Sequence, residues 1–131
     1  MSSRWLEQPS HVTDNPGDLP AGFKAAAVSA GLKPSGGLDV GLMVCSSPDC
    51  VSAARFTKSG VLAAPVQLTK ERTRLDAIRI VVVNSGNANA ATGNRGFEEA
   101  ARVQGAAGMA GGAREDQVAV ASTGVIGVLL D

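Results

Sequence analysis

The sequence contains no tyrosine, and its aromatic residues are limited to three Phe and one Trp among 131 residues. A buried core must therefore be built from aliphatic side chains, chiefly those of Val, Leu, Ile and Ala. No apolar run approaches the length of about 20 residues that a membrane-spanning helix needs. The first residues also contain no apolar segment typical of a secretory signal. These absences predict a cytoplasmic protein, and the length of 131 residues predicts about one domain.

Neither sign of charge predominates, because Lys plus Arg and Asp plus Glu each total 12 residues. A chain without net charge generates no field that attracts nucleic acid or an anionic membrane surface, so neither is expected as a partner. The sequence has one histidine, His11, which leaves few ways to build a metal site or a His-dependent triad. We expect no metal and no cofactor.

Two cysteines, Cys45 and Cys50, flank the turn sequence SSPD. They could form a hairpin disulfide or hold a metal ion, but a C-x4-C spacing alone is a poor zinc signature and His11 lies far away in sequence. In a reducing cytoplasm, the favoured interpretation is two buried thiols that behave as small apolar side chains.

The first 20 residues differ from the rest of the chain. They carry three prolines and no hydrophobic periodicity, which predicts an extended or disordered lead-in over residues 1–20 that includes Trp5 and His11. Residues 21–131 are expected to form the folded part.

The first half of the folded part predicts strands. Alternating apolar residues over 38–45 predict a strand, and the turn after it predicts that residues 50–57 return as the second strand of a hairpin. Residues 63–69 predict a short strand, and Pro65 confines it to a sheet edge or to a strand start because it cannot donate a ladder hydrogen bond. Residues 70–75 predict a helical turn.

The second half predicts a strand, a helix and a final strand. The β-branched run at residues 78–84 predicts a central strand covered on both faces. Residues 96–110 predict a helix with Glu98 and Glu99 in its first turn, and residues 117–122 predict a last strand. This order predicts an α/β or α+β layered fold, and the spacing alone does not decide between the two.

Two loops of small polar residues follow strands. The loop at residues 84–96 could cradle phosphate, but no phosphate-binding motif is present, and Asn side chains bonded to their own backbone are favoured. In the second loop, the Thr123 hydroxyl and the Gly124 N–H could form an oxyanion hole. From these residues alone, a Ser/Thr turn that closes a strand is favoured. No nucleophile paired with a base is apparent.

Four segments in sequence order resemble one family. That family is the bifunctional glutamate N-acetyltransferase/ornithine acetyltransferase (ArgJ type) of arginine biosynthesis, and the similarity runs from about residue 19 to residue 127. The segments are PAGFKAAAVSAGLKPSGGLDVGLMV at residues 20–44, ARFTKSGVLAAPV at 54–66, VVVNSGNANAATG at 81–93 and VAVASTGVIG at 118–127. Each motif alone is modest, but the ordered set is specific.

The resemblance implies an αββα-type layered fold, shared with certain aminopeptidases, and a ping-pong transfer of acetyl from N-acetylornithine to glutamate, with acetyl-CoA a further donor. It implies that a precursor cuts itself at an Ala-Thr bond and that the freed N-terminal Thr of the β chain is the nucleophile. The implied oxyanion donors are Thr123 and Gly124. The implied assembly is α2β2 or larger.

The sequence departs from the family pattern after residue 127. VLLD stands where the family has an L-P-M segment, and the K-G-x-G-M segment, the T-T-D…P-K segment and the Ala-Thr junction are not found. The pair Ala91-Thr92 is not that junction, because Ala91 stands where the family usually has Cys, and Ser59 replaces the Asn of F-T-x-N.

The chain thus resembles the N-terminal part of an α chain, an incomplete domain without the nucleophile. Apolar sheet faces are then expected to lie uncovered. Two alternatives stay open at this point. The first is a non-catalytic or relic fragment that serves oligomerisation, and the second is an aminopeptidase or amidohydrolase of the same fold.

Overall fold

The computed structural model describes residues 10–11, 13 and 17–130. Most of the predicted lead-in of residues 1–20, including Trp5, lies outside the described residues, and its conformation stays a prediction. His11 is described and is exposed.

The described chain contains four strands and two α-helices. They are β1 (Phe23–Val28), β2 (Val40–Cys45), α1 (Ala64–Arg72), β3 (Ile80–Asn87), α2 (Gly93–Gly111) and β4 (Val118–Val125), with a short 3-10 helix at Glu115–Gln117 before β4. The strands form one sheet in the order β1-β2-β3-β4, in which only β3 and β4 are parallel. The mixed α/β class is thereby confirmed.

Helix α1 occupies the segment for which an edge strand was predicted, so that prediction is wrong. Pro65 lies in the first turn of the helix, where its missing N–H costs nothing and its fixed φ suits the helix. Lys70 and Arg72 lie in the last turn, where their charge is favourable to the negative end of the helix dipole. The helical turn predicted at residues 70–75 is found as far as Arg72.

The hairpin predicted from residues 38–57 is also wrong in its second strand. Residues 51–59 form no regular element, and β1 is the antiparallel partner of β2 on that side. Since β3 occupies the other edge of β2, a returning strand has no free position beside it. The sequence pattern missed β1 because its centre, residues 25–27, is three alanines, which have low strand propensity.

Helix α2 confirms the predicted helix but begins earlier than expected. It starts at Gly93, so its first turn holds no acidic residue and Glu98 and Glu99 lie in its second turn. Their predicted stabilising contact with the positive end of the helix dipole is therefore wrong, because that effect fades within the first turn.

Both helices pack on one face of the sheet, and the core lies between them and that face. Strand β3 is interior to the sheet as predicted, but the helices cover only one of its faces. The core residues are Leu68, Ile80, Val82, Ala100, Ala107, Val118 and Val120.

Hydrogen bonds of three buried polar side chains, those of Thr69, Thr73 and Gln104, join the helix layer to the edge strand β4. The Thr69 hydroxyl donates to Val120 O at 3.2 Å and accepts from Val120 N at 3.0 Å. The Gln104 amide donates to Val118 O at 2.9 Å and to the Thr73 hydroxyl oxygen at 3.1 Å. These bonds satisfy groups whose burial would otherwise be costly.

No helix and no further strand packs on the opposite face of the sheet among residues 17–130. Side chains alternate between the two faces of a strand, so the strand registers assign this open face. It carries Phe23, Ala25 and Ala27 of β1, Gly41, Met43 and Cys45 of β2, Val81, Val83 and Ser85 of β3, and Ala119, Ala121 and Thr123 of β4. The described structure thus holds one helix layer and one sheet, and the two further layers of an αββα sandwich stay an expectation.

Candidate functional site

Thr123 lies near the C-terminal end of β4, on the open face of the sheet. It pairs with Ser85 of β3 and is exposed. The register between β3 and β4 shifts next to it, between Gly86 and Asn87. Such irregularities bend a strand locally and are common beside active sites.

Gly124 is a position that only glycine fits. Its φ is +133°, a conformation that side chains with a Cβ rarely adopt. A Cβ there would also meet the Gly86–Asn87 peptide, at 2.6 Å from Asn87 N. The backbone at Gly124 is therefore in direct contact with the end of β3, and this contact fixes it next to the Thr123 side chain.

The loop between β1 and β2 contributes a third backbone segment behind this site, in addition to the ends of β3 and β4. A Cβ on Gly86, whose φ is +113°, would lie 2.8 Å from the Leu32 carbonyl oxygen. The loop at Leu32, the end of β3 at Gly86 and the end of β4 at Gly124 are thus stacked backbone against backbone.

Asp39 holds that loop in place. Its buried carboxylate accepts N–H bonds from Ala30 at 2.6 Å, Leu32 at 2.7 Å and Lys33 at 3.0 Å. The bond from Ala30, together with the other backbone bonds, lowers the pKa of Asp39 below its ordinary value, against the effect of desolvation. Its own carbonyl accepts from Ser85 N at 2.8 Å, which ties the loop to the strand residue that pairs with Thr123.

Sequence reasoning missed Asp39 and Gly86. The available signal for Asp39 was a carboxylate two residues after the Gly-Gly pair at residues 36–37, a setting in which Asp typically bonds nearby backbone. Gly86 offered no signal, since its role is to let Leu32 approach from a distant part of the chain.

Side chains of the loop at residues 84–96 form hydrogen bonds with the backbone of the same loop, as the favoured interpretation predicted. Asn84 Nδ2 donates to Asn87 O at 2.8 Å, and Asn89 Nδ2 donates to Gly96 O at 2.8 Å. The Thr92 hydroxyl donates to Asn89 Oδ1 at 2.7 Å. These side chains are engaged within the loop, so the alternative of a phosphate cradle has no support in this arrangement.

The same loop also fixes the segment around Thr123. The Ser122 hydroxyl donates to Asn84 Oδ1, and Ala88 N donates to Val125 O at 2.8 Å. Beyond the strand, Gly127 N donates to Ala90 O at 2.8 Å. The loop at residues 84–96 and the segment around Thr123 therefore form one surface, with the first supporting the second.

Two open cavities lie away from Thr123 and Gly124. A cleft of about 520 Å³ between α1 and the start of α2 is lined by Gln67, Glu71 and Thr92. An apolar groove of about 560 Å³ between α2 and the strands β1 and β2 is lined mainly by aliphatic side chains, Leu130 among them. The candidate site thus lies on an open surface of the described residues and is not enclosed by either cavity.

Cys45 and Cys50 are free thiols, with Cys45 buried and Cys50 half-buried. Within the part of the chain that the structure describes, no group of three or more His, Cys, Asp or Glu side chains is arranged to hold a metal ion. The described helices also include none long and apolar enough to cross a membrane.

Residues 24–131 match the model of the ArgJ family. The chain is 50% identical over 109 residues to the arginine biosynthesis bifunctional protein ArgJ of Geobacter sulfurreducens, a stretch that makes up 83% of this chain and 28% of the relative. It is 43% identical over 129 residues to the ArgJ protein of Prochlorococcus marinus, which is 97% of this chain and 30% of that relative. The chain therefore spans less than a third of the length of these curated relatives.

Two solved structures are similar in fold and sequence. The ornithine acetyltransferase of Mycobacterium tuberculosis, complexed with ornithine, has a TM-score of 0.76 and 43% identity, with 85% of this chain and 60% of that chain covered. The ArgJ protein of Bacillus halodurans has a TM-score of 0.76 and 38% identity, with 84% and 57% covered.

Proposed function

The chain belongs to the ArgJ family, and on that premise we propose that it is the N-terminal part of an acetyltransferase α chain. Residues 21–131 form this part and residues 1–20 precede it as a lead-in. The reaction is the transfer of acetyl from N-acetylornithine to glutamate in arginine biosynthesis, in the cytoplasm. The names of the bifunctional relatives and the ornithine bound to the M. tuberculosis enzyme support this substrate class.

Within that reaction, Thr123 and Gly124 stabilise the oxyanion. When a nucleophile attacks the acetyl carbonyl, negative charge develops on the carbonyl oxygen, and donors fixed in advance stabilise it. The observation that carries this assignment is the backbone at Gly124, held at a φ of +133° against the Gly86–Asn87 peptide beside the exposed Thr123. A hydroxyl and an N–H on so constrained a segment need little rearrangement as the charge develops.

The nucleophile comes from a partner, the β chain with its N-terminal Thr. Two surfaces support the need for further polypeptide: the open face of the sheet, with Met43 and Val83 each about two-fifths exposed, and the apolar groove beside α2. A contiguous exposed apolar surface is typical of protein contacts. Because Thr123 lies on the open face, a chain covering that face would approach the oxyanion donors. The assembly is α2β2 or larger.

A chimera tests the assignment. In it, this chain replaces the matching segment of the G. sulfurreducens relative, and acetyl transfer from N-acetylornithine to glutamate is measured. We expect Thr123→Ala to lower kcat/KM at least about tenfold, because removing one oxyanion donor typically costs roughly 2.7–4 kcal/mol of transition-state stabilisation. Thr123→Ser, which keeps a hydroxyl, is the matched control and should retain most of the activity. A chimera with Thr123→Ala that transfers acetyl at the unsubstituted rate contradicts the role of Thr123.

The same chimera separates the alternatives. Release of acetate to water in preference to transfer to glutamate would indicate an amidohydrolase or aminopeptidase of this fold. A chimera that assembles like the intact relative, yet lacks all turnover, would indicate a segment retained for oligomerisation.

A further inference from the structure

The side chain of Asn87, at the end of β3, is buried and bonds in two directions. Its Oδ1 accepts from Asn89 N at 2.7 Å, a bond within its own loop. Its Nδ2 donates to Val128 O at 3.1 Å and to Leu129 O at 3.0 Å. The acceptor half of this amide therefore orders the loop, and the donor half holds the segment that follows Gly124.

The backbone of Asn87 holds the same segment nearer to Gly124. Asn87 pairs with both Thr123 and Val125 across the register shift, and a Cβ on Gly124 would lie 2.6 Å from Asn87 N. The Asn87 carbonyl is itself fixed, because it accepts from Asn84 Nδ2 at 2.8 Å. One residue thus contacts the chain on both sides of Gly124 by its backbone and further along by its side chain.

Side-chain packing contributes little to holding this segment. Val125 is 58%, Ile126 66% and Val128 53% exposed, so the burial of apolar surface stabilises their positions only weakly. Hydrogen bonds must supply most of the restraint. The two from Asn87 Nδ2 come from a side chain that is 8% exposed, where loss of the donor is costly because water does not readily replace it.

We propose that Asn87 is a positioning residue for the oxyanion donors, an inference that rests on the proposed function. By holding the segment after Gly124, its amide keeps the Thr123 hydroxyl and the Gly124 N–H in a fixed arrangement. Oxyanion donors stabilise the transition state when they are placed in advance, and a displacement of about 1 Å can cost about 100-fold in rate. Asn87 acts through this segment and has no contact with substrate in its role.

The first test uses the chimera described above. Asn87→Asp keeps an acceptor for Asn89 N but removes both donors. We expect kcat to fall at least about tenfold and KM for N-acetylornithine to change less than about twofold, because displaced donors weaken transition-state stabilisation more than ground-state binding. Asn94→Asp, the same chemical change at an exposed position, is the control and should leave both constants unchanged. An Asn87→Asp chimera with unchanged kcat overturns the inference.

A double-mutant cycle separates positioning from a general loss of structure. If Asn87 acts through the donors, Asn87→Asp combined with Thr123→Ala should lower kcat by at least about threefold less than the product of the two single losses. Losses that multiply in full would overturn the inference. Full activity of Thr123→Ala would refute the proposed function and this inference together, whereas an impaired Thr123→Ala beside a fully active Asn87→Asp would refute this inference alone.

A measurement on the unsubstituted chain applies even if a variant does not fold. In nuclear magnetic resonance of the whole chain, the Asn87 side-chain amide protons should exchange with water at least about tenfold more slowly than those of Asn94, because buried hydrogen-bonded groups are protected. Scalar couplings across the hydrogen bonds should connect Asn87 Nδ2 to the carbonyl carbons of Val128 and Leu129. Exchange of the Asn87 side chain as fast as that of Asn94 would overturn the inference.

Discussion

The two faces of the single sheet have opposite surroundings. On the face toward the helices, Ile80 and Val118 are fully buried, whereas on the other face Met43 is 40% and Val83 is 41% exposed. The first face forms the core where the helices cover β3 and β4, and the second is an apolar surface on which no helix of the described residues packs. The residues that stabilise the fold and the residues of the candidate site therefore lie mainly on different faces of the sheet, because the candidate site lies on the face that contributes least to the core.

Threonines on the two faces illustrate this separation. Thr69 and Thr73 are buried, and their hydroxyls donate to carbonyl oxygens of β4. Thr123, on the open face, is exposed. The buried hydroxyls are engaged in holding a helix onto the sheet, whereas the hydroxyl of Thr123 is accessible to a ligand or a partner chain.

The largest expected effect comes from truncating a side chain on the covered face. Leu68 of α1 is fully buried in the core, so Leu68→Ala leaves a cavity and should lower the free energy of unfolding by about 2–5 kcal/mol. A truncation on the open face, Val83→Ala, should cost less than about 1 kcal/mol because the side chain is already partly solvated. Urea unfolding followed by circular dichroism measures both. Equal losses would mean that the open face is buried in solution, for example by self-association.

A smaller effect is expected where the two strand ends press together at the site. Gly124→Ala combines an unfavourable φ with a collision against the Gly86–Asn87 peptide, and should cost about 1–3 kcal/mol. Gly127→Ala is the control, since Gly127 also has a positive φ, +82°, but has nothing near its missing side chain. It should cost only about 1 kcal/mol. The difference between the two variants in thermal unfolding isolates the close approach, and no difference would mean that Gly124 is not in contact with β3.

The elements with strong local patterns were more predictable from the sequence than the others. Runs of β-branched residues predict the strands β3 and β4, and a long segment of helix-forming residues between them predicts the helix α2. Helix α1 was misassigned because Pro65 fits both an edge strand and a first helical turn. A local sequence pattern identifies helices and strands that have a strong conformational preference of their own. It does not decide the elements whose conformation depends on what they pack against.

The site itself was predictable only in part. Thr123 and Gly124 were singled out by their motif, but the residues behind them were not. Gly86 acts through the close approach of Leu32, which is remote from it in sequence, and Asp39 acts through carboxylate bonds to the backbone of the loop that contains Leu32. No side-chain pattern records a contact in which one partner is a glycine backbone and the other a carbonyl oxygen.

The smallest expected effect concerns acid and the loop that backs the site. The pKa of Asp39 is lowered in the folded chain, chiefly by the bond from Ala30 N. Its contribution to stability is therefore complete above the ordinary carboxyl value of 3.8 and is lost as the pH falls through the lower folded value. Amide exchange of Ala30, Leu32 and Lys33 should accelerate in that acid range while the helix-covered strands stay protected.

Asp39→Asn should remove that pH dependence and should speed exchange of the same three amides at neutral pH, by at least about tenfold, because the amide side chain accepts more weakly than a carboxylate. Asp76→Asn, an equal change of charge at an exposed position, is the control and should leave the loop unchanged. If Asp39→Asn and Asp76→Asn behave alike, the loop is held by Leu32 packing against Gly86 and not by the carboxylate. Since that loop supports the backbone beside Thr123, loss of its protection with an intact helix-covered core would show that the two faces of the sheet can be perturbed separately.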